Sequence, residues 1–153
     1  MKLIAHRGNI NGINPQRENT IDYIEEAIKL GYDVEIDLNL HKGGFYLGHD
    51  KPEQEVSYMW LLKFKDFLWC HAKDIPVFRM LLDLKMHSFM HDQDDATLTS
   101  KGYIWVYPGK RLVPDCIVVL PDGKVPDYIS GVCSDNVEDY NGNVFMCGMQ
   151  HGM

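Results

Sequence analysis

Residues 33–40, DVEIDLNL, alternate strictly between apolar and polar side chains, and no other run restricts the fold so tightly. A period of two belongs to a β-strand, with Val34, Ile36, Leu38 and Leu40 on one face and Glu35, Asp37 and Asn39 on the other. The flanking segments give this strand its context. Residues 2–5 (KLIA) form a short apolar strand that ends in His6-Arg7-Gly8 and a loop rich in Gly, Asn and Pro. Asn19 or Thr20 caps a helix with Ile21, Ile24 and Ile28 on one face and Gly31 as its stop. On the far side, Gly43-Gly44 marks a turn and GFYLGHD reads as the return strand.

Beyond a charged linker, residues 56–68 are apolar with poor periodicity and are read as helical. LWCHAK (68–73) reads as a strand, and Asp74 and Pro76 open a helix carrying Val77, Phe78, Leu81 and Leu82. Further strands are expected around 88–90, 102–107, 116–120 and 130–133. Between the first two of these, Asp94-Asp95 is expected to cap a helix over ATLTS, or alternatively to offer a carboxylate to a site. Strands alternating with helices describe β/α units in one α/β domain over residues 1–153.

With 15 Lys+Arg against 22 Asp+Glu, the formal net charge is -7, which argues against a nucleic-acid or anionic-membrane binder. Cys70, Cys116, Cys133 and Cys147 are widely spaced, most in apolar runs, and are read as buried free thiols rather than disulfides or a zinc site. The opening residues do not resemble a signal peptide, and no apolar run approaches the roughly 18 residues a membrane helix needs. No membrane insertion and a cytoplasmic location are therefore expected.

Four polar signals fall at or just beyond strand ends: His6-Arg7, Glu35-x-Asp37, His49-Asp50 and His71-x-Lys73. In a β/α barrel those ends converge on one mouth. Glu35 and Asp37 project from one side of their strand, so they can share a hard cation such as Mg²⁺ or Ca²⁺. Taken alone, such a pair more often marks a solvated face. Arg7 and Lys73 bring positive charge for an anionic substrate, and His6 and His49 can divide the roles of general base and acid. Trp105 and Tyr107 share one face of a later strand and can wall a pocket or fill the core.

His6-Arg7-Gly8, Pro15 followed by Glu18-Asn19-Thr20, Glu35-Ile36-Asp37 and Gly48-His49-Asp50 together resemble the motif series of the glycerophosphodiester phosphodiesterase family. The likeness covers residues 2–50; GYIWVYP (102–108) and SGVCSD (130–135) are fainter echoes of the family's late strands. The resemblance implies a TIM-type (β/α) barrel holding a divalent metal, which cleaves a small glycerophosphodiester to an alcohol and a phosphomonoester. It implies catalysis by His6 and His49, phosphate contact by Arg7, and metal ligation by Glu35 and Asp37. Where the family has an E-x-K carboxylate, this chain has His71-Ala72-Lys73. Lys73 is kept on the substrate side, and His71 becomes a metal ligand better suited to Zn²⁺ or Mn²⁺ than to Ca²⁺, or a satisfied interior polar group. Two other functions fit the same residues: a degenerate barrel that binds a phosphorylated or sugar-phosphate ligand, and a phospholipase D-like lyase releasing a cyclic phosphate.

A (β/α)₈ barrel usually needs roughly 250 residues, and 153 leaves only about 19 per unit. The expectation is a reduced barrel with several outer helices shortened or missing. Its bare strand faces would be covered by loops or by a second subunit, so a homodimer is one solution.

Overall fold

The protein is described by a computed structural model over residues 1–142. Its elements, in chain order, are β1 (Lys2–His6), α1 (Ile21–Lys29), β2 (Asp33–His41), β3 (Gly44–Leu47), β4 (Gln54–Val56), α2 (Tyr58–Lys63) and β5 (Leu68–Ala72). There follow α3 (Ile75–Asp83), β6 (Ser88–Phe89), β7 (Ala96–Leu98), β8 (Ile104–Val106), β9 (Cys116–Val119), β10 (Gly131–Ser134) and a 3₁₀ helix, Val137–Tyr140. The C-terminal segment 143–153, with Cys147, lies outside the described residues.

The ten strands among the described residues join one curled sheet with few helices, a half-barrel in outline. Strands β6, β5, β2, β1, β10, β9 and β8 follow one another in parallel. The β3–β4 hairpin extends antiparallel from the far end of β2, and β7 pairs antiparallel with β8. Between β6 and the segment 97–100 the curl is bridged by separate hydrogen bonds rather than a ladder. The Ser100 amide donates to the Ser88 carbonyl (2.8 Å), and the Thr97 hydroxyl donates to the Met90 carbonyl (2.8 Å).

The parallel register carries one set of side chains around the inside of the curl. His6 pairs with Glu35, Glu35 with Trp69, Asp37 with His71 and His71 with Phe89; on the other flank Ile4 pairs with Cys133 and Trp105 with Ile117. Directly paired residues share a sheet face. The inner cluster is therefore Ile4, Trp69, Phe89, Trp105, Ile117, Val119 and Cys133, with the polar side of β2 completing the ring. The apolar side of β2 (Val34, Ile36, Leu38) faces outward, into a second core with Ile24 and Ala27 of α1, Leu61 of α2, and Val77 and Leu81 of α3.

The helices start where side chains can satisfy their free amides. Thr20 accepts from the Tyr23 amide and Asp74 from the Val77 amide (2.8 Å). Helices α1, α2 and α3 all fall before residue 84. Around β8, β9 and β10 loops take over: Leu112, Val113 and Val125 pack with Tyr140 of the 3₁₀ helix on Val106, Val118 and Val132. Shortened and missing helices were expected, and on this side loops do the covering. No helix among the described residues is long and apolar enough to cross a membrane.

Two expectations are corrected. ATLTS is not helical: Ala96–Leu98 is an edge strand, whose alternate side chains leave only Thr97 partly buried. Residues 56–68 hold a shorter helix than expected, preceded by the edge strand β4, too short and too polar to show a period. Cys70, Cys116 and Cys133 are buried free thiols, as expected.

Gly131 marks how closely β10 approaches its neighbours. A Cβ there would stand 2.6 Å from Lys2 Cβ, 2.7 Å from the Lys2 carbonyl oxygen and 3.0 Å from Ile117 Cδ1. Because backbone cannot move aside cheaply, Gly131→Ala is expected to lower unfolding free energy by about 1–3 kcal/mol, read from the denaturant midpoint. An unchanged midpoint would mean that β1 and β10 can separate freely.

Candidate functional site

The carboxyl ends of β1, β2, β5, β6, β8 and β9, with the turn after β3, surround a cavity of about 180 Å³. It is lined by His6, Arg7, Glu35, Asp37, His49, His71, Phe89, His91, Trp105, Tyr107, Pro108, Val119 and Leu120. Seven of the eight expected site residues line it. The eighth, Lys73, joins through Asp37, its Nζ lying 3.3 Å from Asp37 Oδ1.

Glu35 and Asp37 are buried, 2% and 1% exposed, because their side of β2 faces the inside of the curl rather than solvent. Asp37 is surrounded by donors. Asn19 Nδ2 donates to its Oδ2 (2.9 Å), Arg7 Nε lies 3.3 Å from Oδ2, and His71 Nδ1 lies 3.1 Å from Oδ1. Burial works against its charge, but His71, Lys73 and Asn19 outweigh it and hold its carboxyl well below the usual range. Glu35 is the opposite case. Its Oε1 is buried with no hydrogen-bond partner, and its Oε2 is 3.9 Å from His6 Nε2. Burial and then the Asp37 charge push it up to about 7. One carboxylate is thus saturated with donors and its neighbour nearly bare.

His6 Nδ1 is 2.7 Å from Asp135 Oδ1, which also accepts from Asn9 Nδ2 (2.9 Å). A carboxylate only accepts, so the hydrogen sits on Nδ1 and Nε2 keeps its lone pair. Burial lowers the His6 pKa, but the Asp135 hydrogen bond and the Glu35 and Asp135 charges outweigh it, and the net shift is upward.

His49 stands at the rim, its side chain 44% exposed, with Nδ1 2.8 Å from Asp50 Oδ1. Gly48 puts it there. At φ +150° this residue brings its own Cα so close to the Lys51 carbonyl that a Cβ would overlap it. The Gly48 amide donates to the Asp37 carbonyl and its own carbonyl accepts from Asn39 Nδ2, which ties the turn to β2.

Arg7 occupies the left-handed region at φ 56°, strained for an arginine. Its amide donates to the Glu35 carbonyl and its carbonyl accepts from the Asn19 amide, so the strain is held by both neighbours. Trp105 is buried against Phe89, ring centroids 4.5 Å apart, and half-exposed Tyr107 continues the wall outward. Both alternatives for Trp105 hold together, since it is core below and cavity wall above.

No protein-family model, no curated protein and no solved structure matches this chain. What the site can do therefore follows from its own chemistry. Glu35, Asp37 and His71 each offer a ligand atom within 4.8 Å of the others. A buried carboxylate oxygen without a partner is costly. A divalent cation beside Glu35 Oε1 would remove that cost, so this donor set fits a metal. Asp94 and Asp95 do not join the cluster; both are exposed, and Asp95 pairs with Lys110 at 3.4 Å.

Four contributors had no expected role here. Asn19, one of two candidate caps, instead clamps Asp37 through both its amide atoms, the Asp37 amide donating to Asn19 Oδ1 (3.0 Å). Asp135 orients His6 from the end of the SGVCSD strand, Asn9 supports Asp135, and the His91 carbonyl accepts from His71 Nε2 (3.1 Å). Only the motif likeness at Asn19 and Asp135 offered a signal.

Proposed function

We propose that this protein is a metal-dependent phosphodiesterase, acting on a small glycerophosphodiester-like substrate at the mouth of a reduced TIM-type barrel related to the glycerophosphodiester phosphodiesterases. One observation carries the reading: an oriented histidine, His6 on Asp135, faces the bare Glu35 carboxylate in a cavity with a second histidine at its rim. A pure binding site has no need of a histidine whose free lone pair is fixed by a partly buried carboxylate.

Glu35, Asp37 and His71 would hold the divalent ion, which when bound neutralises phosphate charge and polarises the phosphorus centre. His6 Nε2 accepts the proton of the attacking water. His49, in contact with solvent and steadied by Asp50, protonates the departing alcohol oxygen. Arg7 and Lys73 add positive charge beside the phosphate position. Trp105, Phe89 and Tyr107 exclude water from the opposite wall.

The test is hydrolysis of glycerophosphocholine, glycerophosphoethanolamine and an aryl phosphodiester with Mg²⁺, Ca²⁺, Mn²⁺ or chelator. Turnover that chelator abolishes, and that falls about 10²–10⁴-fold in His49→Ala with the alcohol-releasing step slowed most, is the expected result. Solvent ¹⁸O in the phosphomonoester separates hydrolysis from a lyase, whose cyclic product carries none. Ligand binding without turnover on any diester would replace the enzyme with the binding module.

A further inference from the structure

The third side chain of the metal cluster decides which ions it suits. His71 Nε2 stands 3.1 Å from the His91 carbonyl oxygen, an atom that can only accept, so Nε2 carries a hydrogen. The ring is also stacked on Phe89, centroids 5.0 Å apart and planes at 12°, which fixes its plane, and turning it over would break the bond to the His91 carbonyl. Its Nδ1 points at Asp37 Oδ1, 3.1 Å away, a position from which the ring donates to that carboxylate and which a cation at the cluster would take over from the hydrogen. A ring nitrogen fixed in this way by a carbonyl on its far side is how proteins present an imidazole to a metal. The third donor of the cluster with Glu35 and Asp37 is thus a nitrogen, not an oxygen.

We propose that the site is built for a first-row transition-metal divalent ion of the Mn²⁺, Fe²⁺ or Zn²⁺ series, bound through His71 Nδ1 together with Glu35 and Asp37, in preference to Mg²⁺ or Ca²⁺. Imidazole adds affinity for those ions and little for hard alkaline-earth ions, which favour oxygen. The inference rests on the metal-dependent reading above and specifies its cofactor.

Direct binding tests it on the full chain without any assay of turnover. Isothermal titration with Mn²⁺, Zn²⁺, Mg²⁺ and Ca²⁺ should show Mn²⁺ and Zn²⁺ binding tighter than Mg²⁺ by about tenfold or more. In His71→Glu that preference should shrink, with Mg²⁺ and Ca²⁺ gaining affinity. Electron spin-echo spectra of the Mn²⁺ protein should carry ¹⁴N modulation, and the His71→Glu protein loaded with Mn²⁺ should lose it. Circular dichroism checks that the variant is folded, and His71→Gln serves as the second variant if it is not. Mn²⁺ bound without nitrogen modulation, or a preference unchanged by His71→Glu, overturns the inference while leaving a metal enzyme intact. Folded wild-type protein that binds none of the four ions overturns both.

Discussion

His6→Ala is expected to lower turnover of the best diester by about 10²–10⁴-fold, the usual worth of a positioned general base, with little change in KM. The argument lies in geometry. His6 Nδ1 is held by Asp135 at 2.7 Å, and this leaves Nε2 as the proton acceptor beside Glu35. Asp135→Asn tests that chain of reasoning more sharply than the deletion. An asparagine amide can donate to Nδ1, which moves the ring hydrogen to Nε2 and takes away the acceptor while keeping the packing. A loss approaching that of His6→Ala is expected, because a wrong tautomer disables the base even where the geometry survives. Long-range ¹⁵N–¹H spectra should show the His6 hydrogen on Nδ1 in the wild type and on Nε2 in Asp135→Asn. If the tautomer moves and turnover does not fall, His6 is not the base.

The second large effect is on stability and lies at the opposite end of the curl. His87 is 3% exposed, its Nε2 is 2.8 Å from the Thr99 hydroxyl and its ring centroid is 4.1 Å from that of Trp69. Burial, then the charges of Lys101 and Lys2, push its pKa down to about 4. The unfolded chain takes up the proton near the ordinary value of 6.5, whereas the folded one resists until near 4. The neutral ring's contribution is therefore fully present above about pH 6.5 and is lost as pH falls toward 4. By linkage it amounts to about 3 kcal/mol, a large share of the roughly 5–15 kcal/mol that holds a domain of this kind together. Urea unfolding of wild type and His87→Gln at pH 7 and pH 4 isolates it, since the other titrating groups are common to both proteins. The wild type should lose about 3 kcal/mol more than the variant. Parallel losses would mean that His87 ionises freely in the fold.

The first half of the chain was readable because its signals are local. The alternation at 33–40, the cap at Thr20 and Asp74-x-Pro76 each fix an element within a few residues, and β2, α1 and α3 stand where they indicate. β7 and β4 were missed because a three-residue edge strand is defined by the partner it pairs with, and three residues carry no period. The carboxylates of β2 were legible as a pair, but their burial was not, since alternation says which side chains share a face and not that the polar face will be enclosed. Asn19 looked like a cap because Asn often is one. With Thr20 taking that role, the Asn19 amide is free to turn inward onto Asp37. The pairing of His6 with Asp135 joins residues 129 positions apart, and no pattern of spacing reports such a meeting.

That pairing bears on how the molecule assembles. β1 lies between β2 and β10, and its second neighbour emerges only after about 130 residues have been made, so half of its ladder must wait. Long-range parallel contacts of this kind form late and slowly. During synthesis β1 would present an unpaired edge, open to aggregation, until β10 arrives to shield it. The same arrival delivers Asp135 to His6. Docking β10 and orienting His6 are therefore coupled, and a chain with β10 undocked would leave both the β1 edge and the His6 ring without their partners.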